Sequence, residues 1–130
     1  MVYAKETFEV GTEFILDSRS PSSTFAVVFE DDAQTGYFYG LDMSRTDNAI
    51  VDAMHIYNVD NVSDKHIPSE ASIVWSADGL KALLLINNHA HAVFDFEARR
   101  GYCRNGFPAP NSSWTKHSHE WDENVLRLFD

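Results

Sequence analysis

The chain has 130 residues, 44% of them hydrophobic and 13% aromatic, and carries a formal net charge of -10. That length fits a single domain, 1–130, with one core, and the aromatic and aliphatic content excludes a disordered chain. The negative field opposes nucleic-acid phosphates and anionic lipid surfaces, and no apolar run is longer than Ala82 to Ile86, far below the roughly 18 residues of a membrane helix.

The acidity is uneven. Residues 1–80 hold 14 acids and 4 bases, whereas residues 81–130 hold 6 of each. An acidic surface keeps a protein soluble, and it also speeds encounter with a basic partner. Met1 to Val10 contains Lys5, Glu6 and Glu9 and has no apolar run, so it is not read as a signal peptide. The single cysteine, Cys103, allows no internal disulfide. Together these features predict a cytoplasmic protein with neither nucleic acid nor membrane as partner.

Thr12 to Leu16 predicts a first strand, closed by the turn-rich stretch Asp17 to Ser23. Thr24 to Phe29 is β-branched and aromatic and predicts a buried strand. The acidic turn Glu30 to Gly36 leads into Tyr37–Leu41, completing a hairpin. A short helix is expected near residues 46–54. Ile50 to Val59 fits both periods, with Ile50, Met54 and Tyr57 on a helical face and Val51, Ala53, His55, Tyr57 and Val59 alternating as in a strand. Strand is the favoured reading. Asn61 to Glu70, which contains Pro68, reads as a loop.

Ser72 to Phe96 predicts a three-stranded meander. Its turns are Ser76-Ala77-Asp78-Gly79 and Asn87-Asn88-His89. Ala90, Ala92, Phe94 and Phe96 are expected on one face of its third strand. A β-propeller blade ends on a comparable turn, but a propeller needs at least about four such blades and the pattern occurs once. Glu97 to Gly101 turns into Tyr102-Cys103-Arg104, and Phe107 to Ser113 reads as an extended loop with two prolines. Trp121, Val125, Leu128 and Phe129 recur at i, i+4, i+7 and i+8, the stripe of an amphipathic helix laid on a sheet. The expected fold is α+β, a curved antiparallel meander with a C-terminal helix packed on it.

His89-Ala90-His91 and His117-Ser118-His119 are the sharpest chemical features. A His-x-His pair on a strand presents both imidazoles on one face. Such a pair could hold Zn²⁺ or Fe²⁺, with Asp95 as a third ligand, and a folded-back second pair would supply four histidines. The alternative is that the histidines are structural and no cofactor is bound. Cys103 has basic neighbours, which favour a thiolate, but no base is placed beside it, and a small buried hydrophobe is the commoner role. Arg99, Arg100 and Arg104 form the one basic cluster, interleaved with Tyr102, Phe107 and Trp114. They suit a binding hot spot, or else internal pairing with the acidic turn Glu30-Asp31-Asp32. No phosphate loop, nucleophile elbow or Cys-x-x-Cys is present.

Trp75-Ser76-Ala77-Asp78-Gly79, Ala92-Val93-Phe94-Asp95-Phe96, Gly101-Tyr102-Cys103-Arg104 with Phe107-Pro108, and Trp121 resemble a small bacterial family described as a domain of unknown function. The resemblance implies a cytoplasmic bacterial protein and supplies no catalytic residue to carry over. The residues therefore favour a non-catalytic module that binds a basic protein, for example an immunity-type inhibitor of a toxin. Glu30, Asp31, Asp32, Arg99, Arg100 and Arg104 are its candidate contacts. The alternatives are a metal-binding domain or metal-dependent enzyme built on His89, His91, His117, His119 and Asp95, and a small-ligand pocket lined by Phe25, Tyr37, Tyr39 and Tyr57.

Overall fold

The computed structural model describes residues 3–110 and 113–130. Asn111 and Ser112, in the expected proline-containing loop, and Met1 and Val2, in the N-terminal stretch, lie outside the described residues. Among those described, nine antiparallel strands form two sheets. The strands are β1 (Tyr3–Phe8), β2 (Phe14–Arg19), β3 (Phe25–Asp31), β4 (Thr35–Asp42), β5 (Ile50–Asn58), β6 (Ser69–Trp75), β7 (Lys81–Ile86), β8 (His89–Asp95) and β9 (Arg100–Cys103). One sheet runs β1-β6-β7-β8-β9 and the other β2-β3-β4-β5.

Alternation along each strand puts the core between the sheets. Val27 and Phe29 of β3, Phe38 of β4 and Met54 of β5 meet Ile73 and Trp75 of β6, Leu84 of β7 and Phe94 of β8, all fully buried. Phe38 and Phe94 touch across the gap, ring centres 5.2 Å apart. Gly40 and Gly101 line this contact because a Cβ at either position would press on Phe94. The expected hairpin forms as β3–β4 and the expected meander as β6–β7–β8. Residues 50–58 are strand.

Four expectations are corrected. First, the fold is nearly all-β, two packed sheets in place of one curved sheet with a helix. Residues 46–54 hold no helix, because turns and bends lead directly into β5. Second, the C-terminal stripe forms a 3-10 helix of seven residues, Glu123–Phe129, and no α-helix. Its hydrogen bonds close over three residues, as from the Val125 amide to the Asp122 carbonyl. Three residues per turn break the 3.6-residue stripe, so Val125 is buried while Leu128 is 37% exposed. Third, a register shift between Leu84 and Leu85 turns Ala90 away from Ala92 and Phe94. Ala90 instead joins Leu83, Val93 and Val125 on the outer side of the five-stranded sheet. Fourth, β1 pairs along β6 from Tyr3 to Phe8, a strand hidden in the polar N-terminal stretch.

The Trp75–Gly79 segment is a structural clamp. The Ser76 hydroxyl donates to Asp78 at 2.6 Å, and the Lys81 ammonium donates to Asp78 at 2.7 Å and to Glu97 at 2.8 Å. Gly79 has φ +71, and a Cβ there would strike the Ser20 and Ser22 hydroxyls, which hydrogen-bond to the Gly79 and Asp78 carbonyls respectively. The Trp75 indole N–H donates to Ser18 at 3.0 Å. The turn of one sheet is thereby fastened to β2 and the β2–β3 loop of the other.

Candidate functional site

Each sheet also has an outward face. On the five-stranded sheet this face carries Leu83, Ala90 and Val93, and the C-terminal 3-10 helix lies over it through Val125, Leu126 and Phe129. On the four-stranded sheet the outward positions are Ile15 of β2, Val28 and Glu30 of β3, Tyr39 and Leu41 of β4 and Ile50 of β5, which line a shallow depression of about 280 Å³. Ile15 is 60% exposed and Ile50 43%. Tyr37 stacks on Tyr39 with ring centres 5.9 Å apart, His55 packs edge-on to Tyr37, and Phe107, 56% exposed, packs on His55. The patch is rimmed with acid. Burial and the nearby charges of Glu30 and Asp32 push the Tyr39 hydroxyl above its ordinary range.

The expected small-ligand pocket does not assemble. Phe25 and Tyr57 turn inward against the core, and Phe25 stacks on Phe96 at 4.4 Å. Tyr37 and Tyr39 lie on the opposite, outward side.

The acidic turn divides by role. Asp31 is buried and accepts hydrogen bonds from the Gly11 amide at 2.8 Å, the Ala33 amide at 2.8 Å and the Tyr57 hydroxyl at 2.7 Å. Burial together with this carboxylate pushes the Tyr57 hydroxyl far up. Asp32 is exposed and accepts from the Gln34 and Thr35 amides, which hold its carboxyl below the usual range. Glu30 faces the aromatic patch. Asp31 is thus a structural group, and Glu30 and Asp32 are the members open to a partner.

The three arginines separate as well. The Arg104 guanidinium lies 4.1 Å from the centre of the Trp121 ring, donates to Glu123 at 2.6 Å and, through Nε, to the Ala90 carbonyl at 2.8 Å. It fastens the C-terminal segment to β8, so its acidic partner lies in the second half of the chain and not in the Glu30–Asp32 turn. Arg100 covers the Tyr102 ring at 4.5 Å. Arg99 stands in a turn at φ 56 beside Arg45 and Trp114.

The four histidines do not converge. His89 and His91 face each other with ring centres 5.0 Å apart. Both line a cleft of about 550 Å³ at one end of the sandwich, with Val62, Ile67, Ile86 and Tyr57. Asp95 is at the far end of β8, about 20 Å from His89 at the rise of an extended strand, and accepts from the Ala98 amide. His117 is exposed. His119 is fully buried, its Nε2 2.7 Å from Asp52 and its Nδ1 against the Pro108 carbonyl. Among the described residues no group of three or more His, Cys, Asp or Glu is arranged around one point to hold a metal ion.

The Asp52–His119 pair was not foreseen from the sequence. Asp52 sits on β5 where a register shift follows Gly40, and His119 arrives from the strap that follows β9. The His119 carbonyl accepts from the Cys103 amide, and the Phe107 carbonyl accepts from the His55 amide, so the strap spans the edges of both sheets. Cys103 is buried beneath it and its thiol donates to Asn105 at 3.4 Å. Burial pushes this thiol up despite the neighbouring backbone amides, which fits a core residue better than a nucleophile. Among the described residues no helix is long and apolar enough to cross a membrane.

A family model described as "Uncharacterized protein conserved in bacteria (DUF2251)" matches residues 8–130, and the chain belongs to that family. A curated protein of Haemophilus influenzae, named "Uncharacterized protein", is 51% identical over 94 residues. The match covers 71% of this chain and 58% of that relative, so the chain spans a little over half of the relative's length. No solved structure matches the chain.

Proposed function

We propose that this member of the family is a non-catalytic protein-binding module whose working surface is the outer face of the four-stranded sheet. The observation that carries the reading is the group of large apolar side chains exposed there, Ile15, Ile50 and Phe107 around the Tyr37–Tyr39 stack. A contiguous apolar patch rimmed by polar groups marks an interaction site, and an aromatic centre with a charged rim is the usual anatomy of a protein interface. Glu30 and Asp32 border the patch. With a net charge of -10, the field attracts a basic partner and raises its association rate. A toxin that acts on nucleic acid needs a basic surface to engage phosphates, and an acidic cap blocks such a surface. Inhibition of a toxin of this kind, in the bacterial cytoplasm, is the specific role we infer.

The test is affinity capture with the full chain from lysate of the source bacterium at low and high salt. The expected result is one basic protein that is released by salt and lost with Tyr39→Ala or with Glu30→Gln combined with Asp32→Asn. The asparagine keeps the acceptor of the turn. The same protein captured equally by parent and variants would sink the reading. If a nuclease or similar enzyme is captured, its activity should fall in proportion to added chain.

A further inference from the structure

We propose that His89 and His91 form an open two-histidine site for a late first-row divalent cation such as Zn²⁺ or Cu²⁺ at the mouth of the end cleft. Three observations support it. Two imidazoles bound cis to one ion, with each metal–nitrogen bond about 2.0–2.1 Å, hold their ring centres roughly 4.5–5.2 Å apart. His89 and His91 have their centres at 5.0 Å. Next, beyond their contact with each other, their rings carry no hydrogen bond among the described residues. The ring nitrogens of His55 bond to Asn58 and Asn105, and those of His119 to Asp52 and Pro108. Among the described residues no group hydrogen-bonds to the ring of His89 or His91. Finally, the sign of the field is right, since a chain of net charge -10 concentrates cations at its surface.

The local chemistry agrees. Arg104 is paired with Glu123, which tempers its repulsion of a cation. Imidazole selects zinc, copper, nickel and iron over magnesium or calcium. Ser63, Asp64 and Asn87 also line the cleft. With two side-chain ligands the remaining coordination positions go to water or to a molecule held in the apolar part of the cleft. The site stands apart from the aromatic patch, so its fate does not depend on that of the protein-binding reading.

The experiment is titration of the full chain with Zn²⁺ by calorimetry and with Cu²⁺ by electron paramagnetic resonance. The expected result is one ion per chain and a copper spectrum split by two imidazole nitrogens. His89→Gln and His91→Gln should each weaken binding by about tenfold or more, about 1.4 kcal/mol or more, and leave one nitrogen in the spectrum. The double variant should bind nothing, whereas His66→Gln and His117→Gln should match the parent. Binding that survives in the double variant, a single nitrogen in the parent, or no bound ion would each overturn the proposal. Zn²⁺ should also raise the unfolding midpoint of the parent and leave that of the folded double variant unmoved.

Discussion

The two sheets carry apolar residues at outward positions in the same alternating way and treat them differently. On the five-stranded sheet, Leu83, Ala90 and Val93 lie under the C-terminal 3-10 helix, and Arg104 holds that segment through Trp121 and Glu123. On the four-stranded sheet, Ile15, Tyr39, Leu41 and Ile50 remain at the surface. An outward apolar position is therefore not in itself a sign of a partner. The face under the C-terminal segment is part of the fold, and the other face keeps large apolar side chains exposed among the described residues.

Substitutions on the two sides test that distinction. The largest effect is expected at the strap between them. Asp52→Ala would leave the buried His119 Nε2 without its hydrogen-bond partner and should cost about 3 kcal/mol or more, measured by denaturant unfolding. An unfolding midpoint unchanged by this substitution would mean that the strap does not hold the sheets' edges together. Next comes the covered face. Val125→Asp places an unpaired carboxylate against Leu83 and Val93 and should cost about 3 kcal/mol. A loss as small as that of an exposed site would show that the 3-10 helix is not docked.

A pH dependence sharpens the edge of the covered face. His91 is held down to about 4 in the folded chain against an ordinary 6.5. Between those values the unfolded chain binds more protons, so stability rises with pH there. The contribution is complete above about pH 6.5 and is lost as pH falls toward about 4. His91→Gln should flatten that part of the stability curve, measured by urea unfolding at each pH. The smallest effect belongs to the open face. Ile15→Asp should change stability by only about 0.5 kcal/mol while abolishing capture of the basic partner. A large loss of stability at Ile15 would place it in the fold and collapse the contrast.

Much of this architecture was legible in the residues. Thr24 to Phe29 and Ala82 to Ile86 are largely apolar runs of strand length, and Glu30–Gly36, Ser76–Gly79 and Asn87–His89 are turns, so the hairpin and the meander followed from strand-length runs between turns. The strand β1, which pairs with the meander's edge, was harder to read, because Lys5 and Glu6 mask its alternation. The C-terminal stripe misled because the 3.6-residue template fits Trp121, Val125 and Phe129, although the backbone turns with three residues. The metal expectation placed His119 among ligands because spacing alone shows which residues could share a face. It says nothing of Asp52, 67 positions earlier in the chain, which takes its Nε2. The open patch was missed as a unit for the same reason. Ile15, Tyr39 and Ile50 come from three strands, and only their pairing register brings them together.

The Asp31 carboxylate has one further consequence. It is the shared acceptor of the Gly11 amide in the β1–β2 turn, the Ala33 amide in the β3–β4 turn and the Tyr57 hydroxyl near the end of β5. Two turns and a strand end distant in sequence are thus tied to one group, and opening one leaves the carboxylate buried and short of donors. The three should therefore open as a unit. The amide protons of Gly11 and Ala33 would then exchange with solvent at matched rates, and Asp31→Ala would release both at once.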